Sequence, residues 1–578
     1  MSAKLPVFST DFETTTKISD CRVWLWGYKN VYSDKFGWGT DIDSFIEWVS
    51  GRSSICYFHN LKFDGMFIID WLLRNGYKHS TQKGTAKTFN TLISDMGKMY
   101  SMTIYWGGGR KTEFKDSAKK FPNFSVARLA KSFGMEEGKG DIDYHAERPV
   151  GYQPTDEEID YLRRDVDIVG QAIRQALDSG MKKLTIGSDS LHEYKTIATK
   201  KAFEYHFPTF GHALDAEIRR AYRGGFTYSD PRFQGGIVGN GVVLDVNSLY
   251  PYIMSDRILP YGEPKYVRDK VETSDNWPLS IFAVTFTAKL KPNHIPCIQI
   301  KGSSQFVPTD YQRDITEPTQ LMVTNVDWEL YNEHYDIDVL SYGGGWLFHA
   351  TRGMFDTYIE KWSEIKQNTT GGRRELAKLH LNSLYGKFAS NPNVTSKYPV
   401  YDAEHDRVKL VRGRDEKRAP VYTPAGVFIT SWARAHTIRA AQANYSMFAY
   451  ADTDSLHLVL EGAPIKGDIV DIVPTNLDID DKRFGAWAYE YDFEAAMYLR
   501  AKAYSERHYD GTYTTRIAGL PVAVSSMLDF SDIVDGNIID ADYLARRFPG
   551  SDVVGKLTPK IVTGGVVLVD TPYKLVVK

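Results

Sequence analysis

Two short apolar runs, far apart along the chain, each end on acid. Met447-Phe448-Ala449-Tyr450 leads into Ala451-Asp452-Thr453-Asp454-Ser455, and Val242-Val243-Leu244 leads into Asp245. Apolar runs of this length, closed by polar turn residues, read as buried strands, and Asp-Thr-Asp reads as the tight turn of a hairpin. With the two strands as neighbours, three carboxylates meet at one sheet end. Carboxylates so close repel unless a cation sits between them, and an oxygen-only set suits Mg²⁺ or Mn²⁺. Converging strand-end carboxylates can hold two metal ions, the arrangement that drives in-line phosphoryl transfer. A lone Asp-x-Asp is most often a surface turn. An EF-hand loop does not fit, because counting from Asp452 puts His457 where glycine is needed and Ala463 where a bidentate Glu is needed.

Bulk properties set outer limits. With 578 residues, the length suggests about 4 domains. The formal charge of −3 provides no global basic field, so any nucleic-acid contact rests on local Lys/Arg patches. Cys21, Cys56 and Cys297 are far apart and form no metal or disulfide pattern, which fits a reducing, cytoplasmic setting. Met1 to Pro6 lacks an apolar signal core, and no long uncharged apolar stretch could span a bilayer, so no membrane role is expected. Abundant Tyr and Trp suit base stacking and an ordinary core alike.

A second set of acids lies near the start. Asp11 and Glu13, in Val7-Phe8-Ser9-Thr10-Asp11-Phe12-Glu13-Thr14, fall on one face of a strand. Asp64 opens an apolar helix-like run from Met66 to Leu73, where a helix N-terminus favours a carboxylate. Thr155-Asp156-Glu157-Glu158 is a capping box that starts a helix running to Gly180. Ile159, Leu162, Val166 and Val169 make its buried stripe. Tyr161 and Asp165 meet on another face one turn apart. Four carboxylates, Asp11, Glu13, Asp64 and Asp165, with a phenol to orient water, are the set needed for two-metal phosphodiester cleavage. Singly, each acid is more simply a cap or a solvated side chain.

In this order, Asp-x-Glu-Thr, Asn-x3-Asp and Tyr-x3-Asp resemble the proofreading 3′–5′ exonuclease of family B DNA polymerases. The resemblance implies an RNase H-like sheet with flanking helices. Lys139, in Lys139-Gly140-Asp141-Ile142-Asp143-Tyr144-His145, matches that family's catalytic-site lysine. Thr14, His59, Asn60 and Phe63 match its single-strand contacts, as does Ser117. Ala118 stands where relatives carry a larger apolar residue.

The likeness continues downstream. Tyr222-Arg223-Gly224-Gly225 follows a basic helical stretch, and paired glycines let a backbone approach phosphate; in the family this loop binds the template. Asp245-Val246-Asn247-Ser248-Leu249-Tyr250-Pro251 resembles motif A. There Asp245 and Val246 contact metal and nucleotide, amides near Asn247 to Leu249 face the triphosphate, Ser248 contacts DNA, and Tyr250 excludes a 2′-hydroxyl. Helix formers dominate from Arg373, after Gly371-Gly372, and Arg374, Lys378, Asn382 and Tyr385 make a polar stripe. Asn382-Ser383-Leu384-Tyr385-Gly386 resembles motif B. The likeness implies that Lys378 and Lys366 grip the triphosphate, Asn382 and Tyr385 line the nucleotide site, and Lys387 contacts DNA. Thr430 and Arg434, opening a helix of small residues from Ala433 to Ala443, match primer–template contacts. Asp452 and Asp454 form motif C. Lys502-Ala503-Tyr504 matches a Lys-x-Tyr element that holds the primer terminus. Lys556, Lys560 and Val566 to Val569 fit a segment gripping duplex backbone.

Residues 261–353 read as mixed short strands and turns, and 389–421 as a polar, charge-rich hairpin insertion. Asn325-Val326-Asp327-Trp328-Glu329-Leu330 and Glu333-His334-Tyr335-Asp336 point to the protein-primed, phi-29-type branch. The resemblance implies an α+β multidomain chain, an RNase H-like exonuclease joined to a right-hand polymerase with two family-specific insertions. Its parts are exonuclease 1–185, palm 186–260 and 422–525, terminal-protein-region insertions 261–353 and 391–421, fingers 354–390, and thumb 526–578. It further implies two Mg²⁺ (or Mn²⁺) per site, with deoxyribonucleoside triphosphates, primer-template and single-stranded DNA, a terminal protein and a single-stranded-DNA-binding protein as partners. The expected form is a monomer in the cytoplasm of an infected host. The other classes weighed are a metal-dependent glycosyltransferase, which has no use for the N-terminal acids, and a stand-alone 3′–5′ exonuclease or DNA-binding replication factor, which has no use for Asp245.

Overall fold

Val7–Thr14 forms because aromatic and β-branched residues alternate with polar ones along it. Phe12 meets Phe45 and Phe58 edge to face, so one face of the strand is apolar and the other carries Ser9, Asp11 and Glu13. It pairs antiparallel with Val23–Asn30 and parallel with Ser54–Phe58, which in turn runs parallel to Arg110–Asp116. Helices Ile42–Ser50 and Leu61–Arg74 supply Phe45 and Phe67 to the apolar face. Helix Asp156–Asp178 closes the opposite face and starts at the expected reciprocal box of Thr155 and Glu158. Gly27 lets it approach: a Cβ there would lie 2.8 Å from Leu162 Cδ2. This computed structural model describes residues 5–135, 142–144, 146–300, 311–460, 477–551 and 553–576; Lys139 lies outside them.

The second sheet has five strands, in the order Trp487–Phe493, Gly241–Val246, Ser455–Val459, Phe448–Asp452 and Thr227–Ser229. All its pairs are antiparallel. Helices Leu249–Asp256 and Thr423–Ala443 pack together behind it. The latter begins ten residues before the small-residue run that signals it in sequence, with Pro424 in its first turn, a position where proline's missing N–H costs nothing. Helices Asp356–Asn368 and Gly371–Ser383 pack as a pair beside this sheet. Gly371 and Gly372 lie inside the second of these instead of preceding it. The reason for Gly372 is packing: a Cβ would sit 2.3 Å from the Phe133 ring. Tyr385 belongs to a separate short turn, Tyr385–Phe388.

Between residues 259 and 351 the short strands Ile298–Gln299 and Tyr311–Gln312 are joined by much longer ones. Leu259–Val267, Tyr335–Thr351, Leu279–Leu290 and Asp314–Thr324 form a four-stranded antiparallel sheet whose longest member has 17 residues. Register shifts along Leu279–Leu290 and Tyr335–Thr351 break the two-residue alternation, which hides a long strand from pattern reading. The polar stretch near 391–421 contains the hairpin Asn393–Asp402 and Arg407–Lys417. It pairs through Ser396 and Lys397 with Thr88–Ser94 and so extends the N-terminal sheet to ten strands. A C-terminal hairpin, Leu557–Val562 and Gly565–Asp570, buries Val562, Val566 and Val567 in the N-terminal core. Gly564 and Gly565 make that contact possible, since Cβ atoms there would lie 2.3 Å from the Cys21 carbonyl and 2.4 Å from the Phe67 ring. Among the described residues no helix is long and apolar enough to cross a membrane.

Candidate active sites

A cavity of about 340 Å³ opens at the end of Val7–Thr14. Asp11, Glu13, Thr14, His59, Asn60, Phe63, Asp64, Tyr161 and Asp165 all line it. Glu13, Asp64 and Asp165 are buried. Burial, then the charge of Asp11, holds the Asp64 carboxyl well above the usual range, with Glu13 and Asp116 adding to the effect. The Tyr161 phenol is likewise held up by burial and by Glu13 and Asp165. Its hydroxyl lies 2.6 Å from that of Tyr144, a neighbour that sequence reading did not single out. Asn60 adopts a left-handed conformation (φ 78°), and its backbone N–H donates to Asp116 at 3.0 Å. That bond fixes the start of the helix carrying Phe63 and Asp64. Ser117 is fully buried: its hydroxyl donates to the Phe58 carbonyl and lies 2.9 Å from His59 Nδ1. It therefore orients His59 from behind. Val567 and Leu568 of the C-terminal hairpin complete the wall.

The second acid set sits at the end of the five-stranded sheet. Ser455 is paired with Asp245 on one side and Asp452 on the other. The Val246 N–H donates to the Asp454 carbonyl at 2.8 Å, which ties the two segments at the site itself. Thr453 takes a left-handed φ of 66° at the turn. Its N–H donates to the Phe226 carbonyl, and its own carbonyl accepts from Thr437. Gly225 is needed against this turn, because a Cβ would lie 2.6 Å from Thr453 Oγ1. The three acids differ in environment. Asp452 accepts from Thr227 at 2.8 Å and from Lys502 Nζ at 3.0 and 2.9 Å. Asp245 is pushed up to about 8, first by burial, then by Asp454 and Glu490. Asp454 is raised by burial and by Asp452. Glu490 lines the same cleft as Asp245, Asp452, Asp454, Lys502 and Tyr504. Sequence reading missed it, since Tyr489-Glu490-Tyr491 looks like any edge strand.

A cavity of about 380 Å³ adjoins these acids. Asp245 to Tyr250, Lys366, Lys378, Leu381, Asn382, Tyr385 and Asp454 line it. The Tyr250 and Tyr385 rings stack at 3.8 Å. Lys366 Nζ donates to Ser248 at 3.1 Å, and Ser248 adopts a left-handed φ of 54° before helix Leu249–Asp256. The carboxylates, ammonium groups and main chain thus face one space, which suits a hard cation and a polyanion.

Other expected contacts are placed differently. Arg434 is buried, forks onto Asp327 at 2.7 Å, and donates to the carbonyls of Arg223 and Gly224. Arg223 is buried too and donates to the Arg220 and Gln299 carbonyls. The buried Thr430 hydroxyl donates within its own helix. The two arginines clamp the loop Tyr222–Gly225 against residues 261–353 and are turned away from solvent. Tyr222 is half-buried, and Lys387 points to Ser188 at 3.4 Å. Val566 and Val567 are core residues, not a solvent-facing grip.

The model for DNA polymerase type B, organellar and viral, matches residues 48–153 and 141–462. The chain is 43% identical over 584 residues to the DNA polymerase of Bacillus phage Nf, covering 100% of both. It is similar throughout to solved structures of phi29 DNA polymerase. One, complexed with primer-template DNA and incoming nucleotide, gives a TM-score of 0.89 at 42% identity, covering 99% of this chain and 100% of that one. Another, complexed with single-stranded DNA, gives 0.89 at 41% identity, with 99% of this chain and 100% of that one covered.

Proposed function

Because the chain belongs to the organellar and viral type B DNA polymerases, we propose that it extends primers at the Asp245/Asp454 cleft and degrades single strands at the Asp11/Glu13 cavity. The chain is a DNA polymerase with the α+β exonuclease and palm, fingers and thumb architecture of its relatives. In this reading, the parts follow the boundaries given above: exonuclease 1–185, palm 186–260 and 422–525, insertions 261–353 and 391–421, fingers 354–390 and thumb 526–578. Family membership removes the glycosyltransferase alternative. The two separate acid clusters weigh against a nuclease-only or binding-only protein.

Divalent metal dependence goes with the family; two Mg²⁺ per site is part of the proposal. The fit is chemical: Asp245 and Asp454 are hard oxygen donors whose charges oppose each other, with Glu490 beside them. When bound, the ions supply the Lewis acidity that activates the primer 3′-hydroxyl and offsets charge on the leaving pyrophosphate. Asp245 and Asp454 anchor that charge, and the Val246 main chain joins them. Lys502 neutralises Asp452 and holds the turn. Lys366 and Lys378 bind the triphosphate as point charges. Stacked Tyr250 and Tyr385 close the space beneath the sugar and exclude a 2′-hydroxyl. At the other site Asp11, Glu13, Asp64 and Asp165 hold charge, while Tyr161 orients the attacking water.

The solved relatives carry primer-template DNA, incoming nucleotide or single-stranded DNA, and the same ligands are proposed here. Thr14, His59, Asn60 and Phe63 would hold the single strand. Tyr222, the Gly224-Gly225 turn, Ser248, Lys387, Lys502 and Tyr504 would hold the primer-template. A terminal protein as primer, a single-stranded-DNA-binding protein as helper, a monomeric state and action in the host cytoplasm complete the proposal. The observation that carries it is the convergence of Asp245, Asp454, Lys366 and Lys378 on one cavity. Primer extension and single-strand degradation, measured side by side, test it. Asp454→Ala should abolish extension and spare degradation, and Asp11→Ala with Glu13→Ala should do the reverse. Loss of both activities in both variants would refute two separate sites.

A further inference from the structure

Lys378 has a partner that the proposed reaction does not use. Its Nζ lies 2.7 Å from Glu375 Oε1, one turn back on helix Gly371–Ser383. The lysine lines the cavity with Lys366, Asp245 and Asp454; Glu375 does not. The cations there sense one another. Burial, then the charges of Lys378 and Arg374, lower the affinity of the Lys366 ammonium for its proton. Lys366 is occupied by the neutral Ser248 hydroxyl, so Glu375 is the carboxylate that Lys378 holds. Both members of the pair keep partial access to water, with side-chain exposures of 39% and 19%. Such a pair is weak and exchanges readily.

We propose that Glu375 is a built-in stand-in for the triphosphate. It holds Lys378 while the cavity lacks nucleotide, yields the ammonium to the incoming polyanion, and takes it back as pyrophosphate leaves. The inference rests on the reading of this cavity as the nucleotide site. The consequence is competitive. Glu375 lowers apparent nucleotide affinity and, by the same exchange, lowers retention of pyrophosphate. A residue that merely oriented Lys378 toward the phosphates would do the opposite.

The test is steady-state primer extension by the full-length protein with Mg²⁺ and one deoxyribonucleoside triphosphate, with and without added pyrophosphate. Glu375→Gln removes the charge and keeps the shape. The scale of a partly exposed ion pair predicts that its KM for nucleotide falls about 2- to 5-fold, and its inhibition constant for pyrophosphate falls in step. The turnover number should not rise. Glu375→Asp, with a shorter reach, should lie between the two. Glu375→Ala should move KM in the same direction as Gln, which separates a charge effect from a local packing fault. An unchanged or raised KM in Glu375→Gln overturns the proposal. Lys378→Ala separates its failure from that of the underlying reading. If Lys378→Ala raises KM while Glu375→Gln does not lower it, the stand-in role alone is wrong. If Lys378→Ala leaves KM unaltered, the nucleotide-site reading and the stand-in fall together. In the Lys378→Ala background, Glu375→Gln should have no further effect on KM, and a drop there also counts against the exchange.

Discussion

At the scale of the residue, three acids that share one cleft are not equivalent. Asp452 is satisfied by Thr227 and Lys502, whereas Asp245 is pushed up to about 8. In cation-free protein, folded Asp245 keeps a proton that the unfolded chain releases near pH 4. The unfolded state therefore binds fewer protons across that window, and stability falls as pH rises from about 4 toward 8. Denaturation midpoints of the cation-free protein should decline over this range more steeply than those of Asp245→Asn; parallel curves would contradict the assigned environment. Gly225 gives a second expectation. A methyl there meets Thr453, so Gly225→Ala should displace the turn and slow extension about 10- to 100-fold. Single-strand degradation should stay near wild type, and equal loss of both would disprove the local effect. The acids themselves were readable in sequence because each closes an apolar run. Glu490 was not, because its neighbours alternate like any edge strand. Arg434 looks like a phosphate contact until Asp327, more than a hundred residues away, is seen to take its charge, and Arg223 does so until its bonds to the Arg220 and Gln299 carbonyls are seen.

At the scale of the element, local signals served where the structure is local. The Thr155/Glu158 box starts its helix as the four-residue pattern dictates. Signals failed where packing decides. Gly372 looks like a breaker, yet it is a contact point for Phe133 inside a helix. The long strands of 259–351 are concealed by bulges. Nothing in the sequence marks Lys120, which is buried and donates to Asp189 at 2.8 Å and to the Met181 and Lys183 carbonyls. It fastens the turn after strand Arg110–Asp116 to helix Ile186–Ile197. Lys120→Met keeps the bulk and strands Asp189 without its cation. We expect a loss of about 3–5 kcal/mol in unfolding free energy, read by chemical denaturation, and partial recovery on adding Asp189→Asn. A change below about 1 kcal/mol would mean that water reaches the pair.

At the scale of the whole molecule, segments that sequence separates are joined by shared sheets and cores. The hairpin of residues 393–417 becomes the edge of the N-terminal sheet, and the C-terminal hairpin buries three valines in the core that holds Phe67 and walls the N-terminal cavity. Composition identifies the first as exposed and the second as apolar, but neither property names a docking partner. The fold thus places two acid clusters, each fed by strands and helices from distant parts of the chain, in one molecule with separate cavities. Two separate activities require those clusters to be independent cation sites. Mn²⁺ titration followed by the loss of the free-ion paramagnetic signal tests this most directly, using wild type, Asp245→Asn with Asp454→Asn, and Asp11→Asn with Glu13→Gln. Each double variant should lose the ions of its own site and keep those of the other, so that the two losses sum to the wild-type count. Unaltered Mn²⁺ binding in the Asp245/Asp454 variant, or collapse of binding at both sites in either variant, would contradict the account.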